Sequence, residues 1–227
     1  MEQLFDKAEE YDDMLNQGLK LSGESKEYFL EGRISLMKKH LPGNFNPKSI
    51  LDFGCGIGDT TEVLATEFPD AEIVGIDTAE DALAYATKNR SSDRLQYQTV
   101  NEFDKTDHFD LAYVNGVFHH IPLHLRETSA KTVCQSLKKG GYFAYFENNP
   151  WNPGTKMVMN RIPFDRDAVT LSYLESKRLL KSVGFGDVST ARFAFYFPNS
   201  LSFLRIFEPR LERLPLGAQY LILAKKG

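Results

Sequence analysis

The chain has 227 residues, enough for one large domain or a tight two, and its 42% hydrophobic and 26% charged content excludes disordered, collagen-like and coiled-coil classes. A formal charge of -4, without any basic run that would neutralise a phosphate backbone, argues against a nucleic-acid partner. No stretch approaches the roughly 18 apolar residues of a membrane span, the segment from Met1 to Asp6 lacks the order of a signal peptide, and Cys55 and Cys134 form no Cys-x-x-Cys pair; the expectation is a cytoplasmic chain with reduced thiols and no metal site.

Leu4, Ala8, Tyr11 and Leu15 recur at helical spacing up to Gly18, and a second helical pattern runs from Ser25 through Phe29, Met37 and His40 to Pro42-Gly43. Residues 1–47 are therefore expected to form a helical cap. Residues 49–53 are a short apolar run ending in glycines, followed by a helix that carries Val63, Leu64 and Phe68. The alternation continues with a strand over residues 72–77, a helix over 81–89, a weaker strand over 95–98, a strand over 109–114, a helix over 123–137 and a strand over 141–146. Continuous apolar strands of this kind belong in a parallel sheet covered on both faces. Residues 148–170, rich in Pro, Gly, Asn and Arg, are expected to be an inserted loop or lid, which residues 197–213 could join. Ser172-x-x-Glu175 is a capping box that opens a last helix, which Gly184 ends. Residues 188–197 and 219–224 are β-rich and close enough in sequence to pair antiparallel, which a purely parallel doubly wound sheet would not do.

Between the first strand and its helix lies Asp52-Phe53-Gly54-Cys55-Gly56-Ile57-Gly58-Asp59, where glycines admit a ligand to the backbone and a helix N-terminus offers free N–H groups. Asp77 follows Gly58 by 19 positions, at the end of the second strand, and is placed to accept hydrogen bonds from a ribose diol. Together they specify a nucleoside-containing cofactor. The dinucleotide fingerprint needs a third glycine at position 59, where this chain has Asp59, and a pyrophosphate would meet the carboxylate of Asp52 or Asp59.

These residues resemble the class I S-adenosylmethionine-dependent methyltransferases. The Asp-x-Gly-x-Gly-x-Gly loop, the acid ending strand two and the antiparallel last strand carry the resemblance, joined by residues 109–113, 118–122 and 137–141. It covers residues 48–147, and residues 147–154 and 163–167 look like a bacterial branch of the family. The resemblance implies a Rossmann-like doubly wound α/β sheet of seven mostly parallel strands with an antiparallel last strand. It implies S-adenosyl-L-methionine as cofactor and S-adenosyl-L-homocysteine as product. Asp52 and the loop Gly54, Cys55, Gly56 and Gly58 would face the methionine portion, and Asp77 with Thr78 the ribose. Asn101, in a stretch that lacks the family's usual acid, is the expected adenine contact, and Asn115 with Gly116 should pass close to the cofactor.

For catalysis, His119 and His120 lie beyond strand four, where an imidazole takes a proton from an acceptor hydroxyl or amine, and Glu147 is the rival base. The bland alternatives are loop-bracing histidines and a loop-fixing salt bridge. Asn149-Pro150-Trp151 resembles the signature of methyltransferases acting on amide or base nitrogens, but it stands after strand five, where that signature does not belong. Arg161 and Arg166 are candidates to hold an acidic acceptor, the alternative being that beside Asp165 and Asp167 they tie the lid together; Tyr11 and Tyr28 would help to organise the acceptor, and the aromatic run from Phe193 to Phe207 would wall part of its pocket, the rest packing in the core.

The chain thus reads as a single methyltransferase domain over 1–227, with a cap (1–47), a cofactor half (48–147), a lid (148–170) and a C-terminal helix and hairpin (171–227). The expected reaction is methyl transfer to an O, N or C nucleophile of a small-molecule acceptor. A catalytically silent cofactor-binding protein and a nicotinamide-dependent oxidoreductase are the rivals.

Overall fold

The computed structural model describes residues 23–166 and 168–227. Tyr11 and the first helical pattern lie outside the described residues. Helix α1 (Lys26–His40) leads into β1 (Ser49–Phe53), α2 (Asp59–Glu67), β2 (Glu72–Asp77), α3 (Glu80–Arg90), β3 (Leu95–Thr99) and β4 (Phe109–Asn115). Then come α4 (Arg126–Ser136), β5 (Leu137–Asn148), α5 (Pro153–Met159), α6 (Tyr173–Ser182), β6 (Phe185–Val188), β7 (Arg192–Ala194), α7 (Glu208–Leu211) and β8 (Gln219–Lys226).

The strands form one sheet in the order β3-β2-β1-β4-β5-β8-β6, with β7 also paired to β8. Strands β1 to β5 run parallel, and β8 enters antiparallel between β5 and β6, matching Tyr142 with Lys225 through to Asn148 with Gln219. All five residues of β1 are buried, as a strand covered on both faces must be. Side chains alternate between two cores at the two-residue period of a strand. Ile50, Leu111 and Tyr113 face α1 and α2, while Leu51, Ala112 and Val114 face α4 and α6. On α1 the core stripe is Leu30, Ile34 and Met37, so Lys26, Phe29 and Arg33 occupy a different face.

Several elements differ from the sequence expectation. Among the described residues there are eight strands, because residues 188–197 do not form one strand: the Ser189 hydroxyl accepts the Leu223 N–H at 3.0 Å, a side chain standing in for the backbone ladder between β6 and β7. Strand β5 begins at Leu137, ahead of the expected Gly141. The 148–170 segment is not all loop, since Asn152 caps α5 by accepting the Thr155 N–H at 2.8 Å. The capping box of Ser172 and Glu175 is present, and Gly184 ends its helix at φ 106. Among the described residues no helix is long and apolar enough to cross a membrane.

Candidate active site

The glycine loop rises from the carboxyl end of β1 and is stitched over β2 by the Gly54 and Cys55 amides, which donate to the Ile76 carbonyl at 2.7 and 3.1 Å. Gly54, Gly56 and Gly58 all have positive φ, at 76, 52 and 86°, which favours glycine. Their surroundings separate them. A Cβ on Gly54 would stand 2.4 Å from Val117, and one on Gly58 2.7 Å from the Tyr97 hydroxyl, whereas one on Gly56 meets nothing within 4 Å. The loop is closed behind Gly54 and Gly58 and open at Gly56.

Asp77 holds this loop. Its Oδ2 accepts the Gly56 N–H at 2.8 Å, while Oδ1 accepts the Thr78 and Ala79 amides at 2.7 and 3.0 Å, so the acid braces the loop and opens α3 together. Asp52 is buried, and its Oδ2 accepts the Thr61 hydroxyl at 2.7 Å. Burial outweighs that hydrogen bond and, with the nearby charge of Asp77, pushes the carboxyl up to about 7. Asp52 thus ties β1 to the first turn of α2 and presents little surface to a ligand. Burial likewise drives the Cys55 thiol well above its ordinary value, leaving a small neutral side chain in the turn. Asn101 is exposed in the turn that follows β3.

Beside the loop, at the carboxyl ends of β4 and β5, lies a cavity of about 540 Å³, and Asn115 and Gly116 are on its wall. The α1 face with Phe29 and Arg33 forms one side, residues of the 148–165 segment another, and Phe195, Tyr196 and Phe197 a third. Of the aromatic run, Phe193 is in the core and Phe203 and Phe207 are exposed. Gln219, delivered by the antiparallel β8, joins these walls: its Nε2 donates to Asn115 Oδ1 at 3.2 Å and to Asn148 Oδ1 at 3.0 Å, and its Oε1 accepts from Arg33 Nη1 at 3.3 Å.

His119, His120 and Glu147 come together as expected, joined by Asp165. His119 Nδ1 donates to Glu147 Oε2 at 2.6 Å, and Asp165 Oδ1 lies 3.4 Å from His119 Nε2 and 3.1 Å from His120 Nε2. Glu147 Oε1 accepts the Phe118 N–H at 2.7 Å. Burial by itself would lower the His119 pKa, but the carboxylates of Glu147 and Asp165 outweigh it and lift the imidazole to about 10. His119 is therefore an imidazolium at neutral pH, which has no lone pair with which to take a proton. Burial would raise the Asp165 carboxyl, but hydrogen bonds from His119 and His120 hold it below the carboxylate range. One donor atom from each of His119, His120 and Asp165 lies within 4.8 Å of the others, a set with metal-ligand chemistry that linear spacing did not disclose.

Three expected acceptor contacts fall elsewhere. Arg161 and Arg166 are exposed, and neither lines the cavity. Tyr28 is also outside the lining; its ring lies under the Arg205 guanidinium at 4.7 Å and meets Tyr196 edge-on at 6.0 Å, bracing the cavity wall from behind. Asn149 confirms the positional objection to the Asn-Pro-Trp signature, because its amide donates to the Pro215 and Gly217 carbonyls at 3.0 and 2.8 Å and so fastens the insert to the turn before β8. Arg33 and Gln219 were missed. The available signal for Arg33 was its helical spacing from Phe29, which by itself equally describes a solvated face.

A glycine loop open toward ligand at its middle residue, braced by the acid of the next strand in a sheet that ends antiparallel, is the architecture of the class I S-adenosylmethionine-dependent methyltransferase fold. Residues 51–143 match the family described as "Methyltransferase domain". The chain is 27% identical over 119 residues to the trans-aconitate 2-methyltransferase of Rhodopseudomonas palustris (strain BisB5), covering 52% of this chain and 46% of that protein. It is 34% identical over 97 residues to the enzyme of the same name from Afipia carboxidovorans, covering 43% and 37%. The chain thus matches less than half the length of these relatives. A crystal structure of an S-adenosylmethionine-dependent methyltransferase from Mesorhizobium loti superimposes with a TM-score of 0.63 at 20% identity, covering 87% of this chain and 100% of that one, a likeness of fold.

Proposed function

We propose that the chain transfers the sulfonium methyl group of S-adenosylmethionine to a small molecule held in the cavity. The observation that carries this reading is the junction at Asn115 and Gly116, which end β4 beside the glycine loop and also line the cavity. A ligand seated over Gly56 and a ligand in the cavity would meet there. The open side of Gly56 and the carboxylate of Asp77 fit the cofactor's nucleoside and methionine parts, and the cofactor, when bound, supplies an electrophilic methyl group. Asp77 would accept the ribose hydroxyls, Thr78 would flank them, and Asn101 would lie toward the adenine. Asp52 would act by holding β1 and α2 at the right spacing.

The chain's own contribution is to align the acceptor and keep water out. Trp151, Asn152 and Thr155 belong to a segment whose attachment is polar and extensive: Arg126 Nη2 donates to the Val169 carbonyl at 2.6 Å, and the Val169 N–H to the His119 carbonyl at 3.1 Å. That segment roofs the cavity, in keeping with catalysis by positioning. The protonated His119 would orient the wall through Glu147 and Asp165. The family match ends at residue 143, before the segments that build most of this cavity, so the relatives' trans-aconitate is a starting point for an acceptor search. The two free, buried cysteines suit a reducing cytoplasm.

The test is S-adenosylhomocysteine release by the purified chain from S-adenosylmethionine with pooled small metabolites, beside calorimetry of S-adenosylhomocysteine. Binding at about micromolar Kd, worth about 8 kcal/mol, with acceptor-dependent release is expected. Binding without release from any acceptor would favour a silent cofactor-binding protein, and no binding at millimolar ligand would end the reading.

A further inference from the structure

The cavity has charged groups on its wall, and all but one of them are compensated within the fold. Lys26 Nζ pairs with Asp59 at 2.8 Å, and His119, His120 and Asp165 satisfy one another. Arg33 is the exception. Among the described residues it makes no ion pair, its Nε is buried, and its Nη1 donates at 3.3 Å to a neutral amide oxygen, that of Gln219. The Tyr113 hydroxyl is buried beside it: burial raises the phenol pKa, while the Arg33 charge and a hydrogen bond from Arg33 act to lower it, so the second group near the guanidinium is also neutral. Around them the wall is apolar, with Phe29, Met159, Ile162 and Phe195.

A guanidinium keeps its charge at any pH the protein meets, so it cannot escape this environment by losing a proton. Holding a cation among apolar side chains and neutral hydrogen-bond partners costs free energy that an arriving anion recovers. From this arrangement we infer that Arg33 is the anchor of a carboxylate on the methyl acceptor, its guanidinium pairing with the carboxylate oxygens. This deepens the methyltransferase reading and rests on it for the word acceptor. The choice of carboxylate over phosphate follows from charge and shape: one uncompensated positive charge balances one carboxylate, whereas a phosphate monoester brings nearly two charges, and the planar fork of arginine matches the planar carboxylate. The low-polarity wall strengthens the pairing. Gln219 fixes the guanidinium through Nη1.

The experiment uses the full chain with and without saturating S-adenosylhomocysteine. Small di- and tricarboxylates, trans-aconitate among them, are compared by calorimetry with their methyl esters, with inorganic phosphate and a phosphomonoester, and with small amines. The same compounds are assayed for methyl transfer. A free carboxylate is expected to bind, its ester and the amines not. Arg33→Gln should weaken carboxylate binding and raise the acceptor KM by about 10- to 100-fold, the scale of a lost charged hydrogen bond. Arg33→Lys should recover part of this loss, since it keeps the charge without the fork. Affinity for S-adenosylhomocysteine should be unchanged in both variants, which also reports that they fold. Failure of every carboxylate to bind, equal binding of phosphate or amines, or unchanged carboxylate binding in Arg33→Gln would overturn the assignment. Carboxylate binding that depends on Arg33 in a chain that never binds S-adenosylhomocysteine would sustain Arg33 as a carboxylate site and defeat the methyltransferase reading instead.

Discussion

Asp77 Oδ2 accepts the Gly56 amide at 2.8 Å, so the acid that ends β2 and the middle glycine of the β1–α2 loop hold each other across the floor of the cofactor site. The same carboxylate accepts the first amides of the turn into α3. One side chain thereby fixes the two segments between which a nucleoside has to fit, and any ligand contact it makes is added to a geometry already set.

Asp77→Asn tests this double duty. One of the two carboxylate oxygens becomes an NH2 group, which either faces the Gly56 N–H donor or abandons the Thr78 and Ala79 amides. We expect S-adenosylhomocysteine affinity to fall by about 1.5–3 kcal/mol, the range for a hydrogen bond to a charged group, with the fold retained. Calorimetry together with a urea denaturation curve reads both; an unchanged affinity would remove Asp77 from the cofactor contact.

The glycines of the loop separate ligand space from packing. At Gly56 an added Cβ meets nothing within 4 Å, so Gly56→Ala should cost stability only about the 1–2 kcal/mol of a left-handed non-glycine residue while obstructing the cofactor. At Gly58 the Cβ would stand 2.7 Å from the Tyr97 hydroxyl, so Gly58→Ala should destabilise the chain more. Comparing unfolding free energies with cofactor affinities for the two variants gives opposite rank orders if the open side of the loop is the ligand side.

The His119 pair predicts a pH dependence of stability. Its folded pKa of about 10 lies above the ordinary 6.5, so the stabilisation is fully present below pH 6.5 and is lost as pH rises toward 10. Asp165, held below its usual 3.8, works in the other direction and loses its contribution as the solution is acidified through that region. Glu147→Gln removes one of the charges that lift His119; it should destabilise the chain at neutral pH by on the order of 3 kcal/mol and flatten the alkaline decline. Urea midpoints measured across the alkaline window in both proteins check the slope, and a decline equally steep in the variant would assign it to other groups.

The local features of this chain were written in its linear order. The ends of β1 and β2, the positive-φ glycines between β1 and α2, Asp77 and the Ser172–Glu175 capping box were all legible, because each depends on backbone preference and neighbours a few residues away. Even the antiparallel β8 followed from the short connection before it. The acceptor cavity was legible only as a pair of segments. Arg161 and Arg166 have the right chemistry for holding an anion but are exposed, since the face that an arginine in an irregular segment presents is settled by packing that residue type does not encode. Arg33 reaches the cavity because α1 turns its Leu30–Ile34–Met37 stripe to the sheet, and it meets Gln219 across 186 positions of chain only because β8 inserts beside β5. The sequence offers His119 and Glu147 as rival bases, whereas folding joins them, and the protonation of His119 is decided by burial between two carboxylates that lie 28 and 46 positions away, one of them in the inserted segment. Hydrogen-bonding capacity belongs to the residue type, whereas the charge state and the direction in which a side chain points belong to the neighbours that folding supplies.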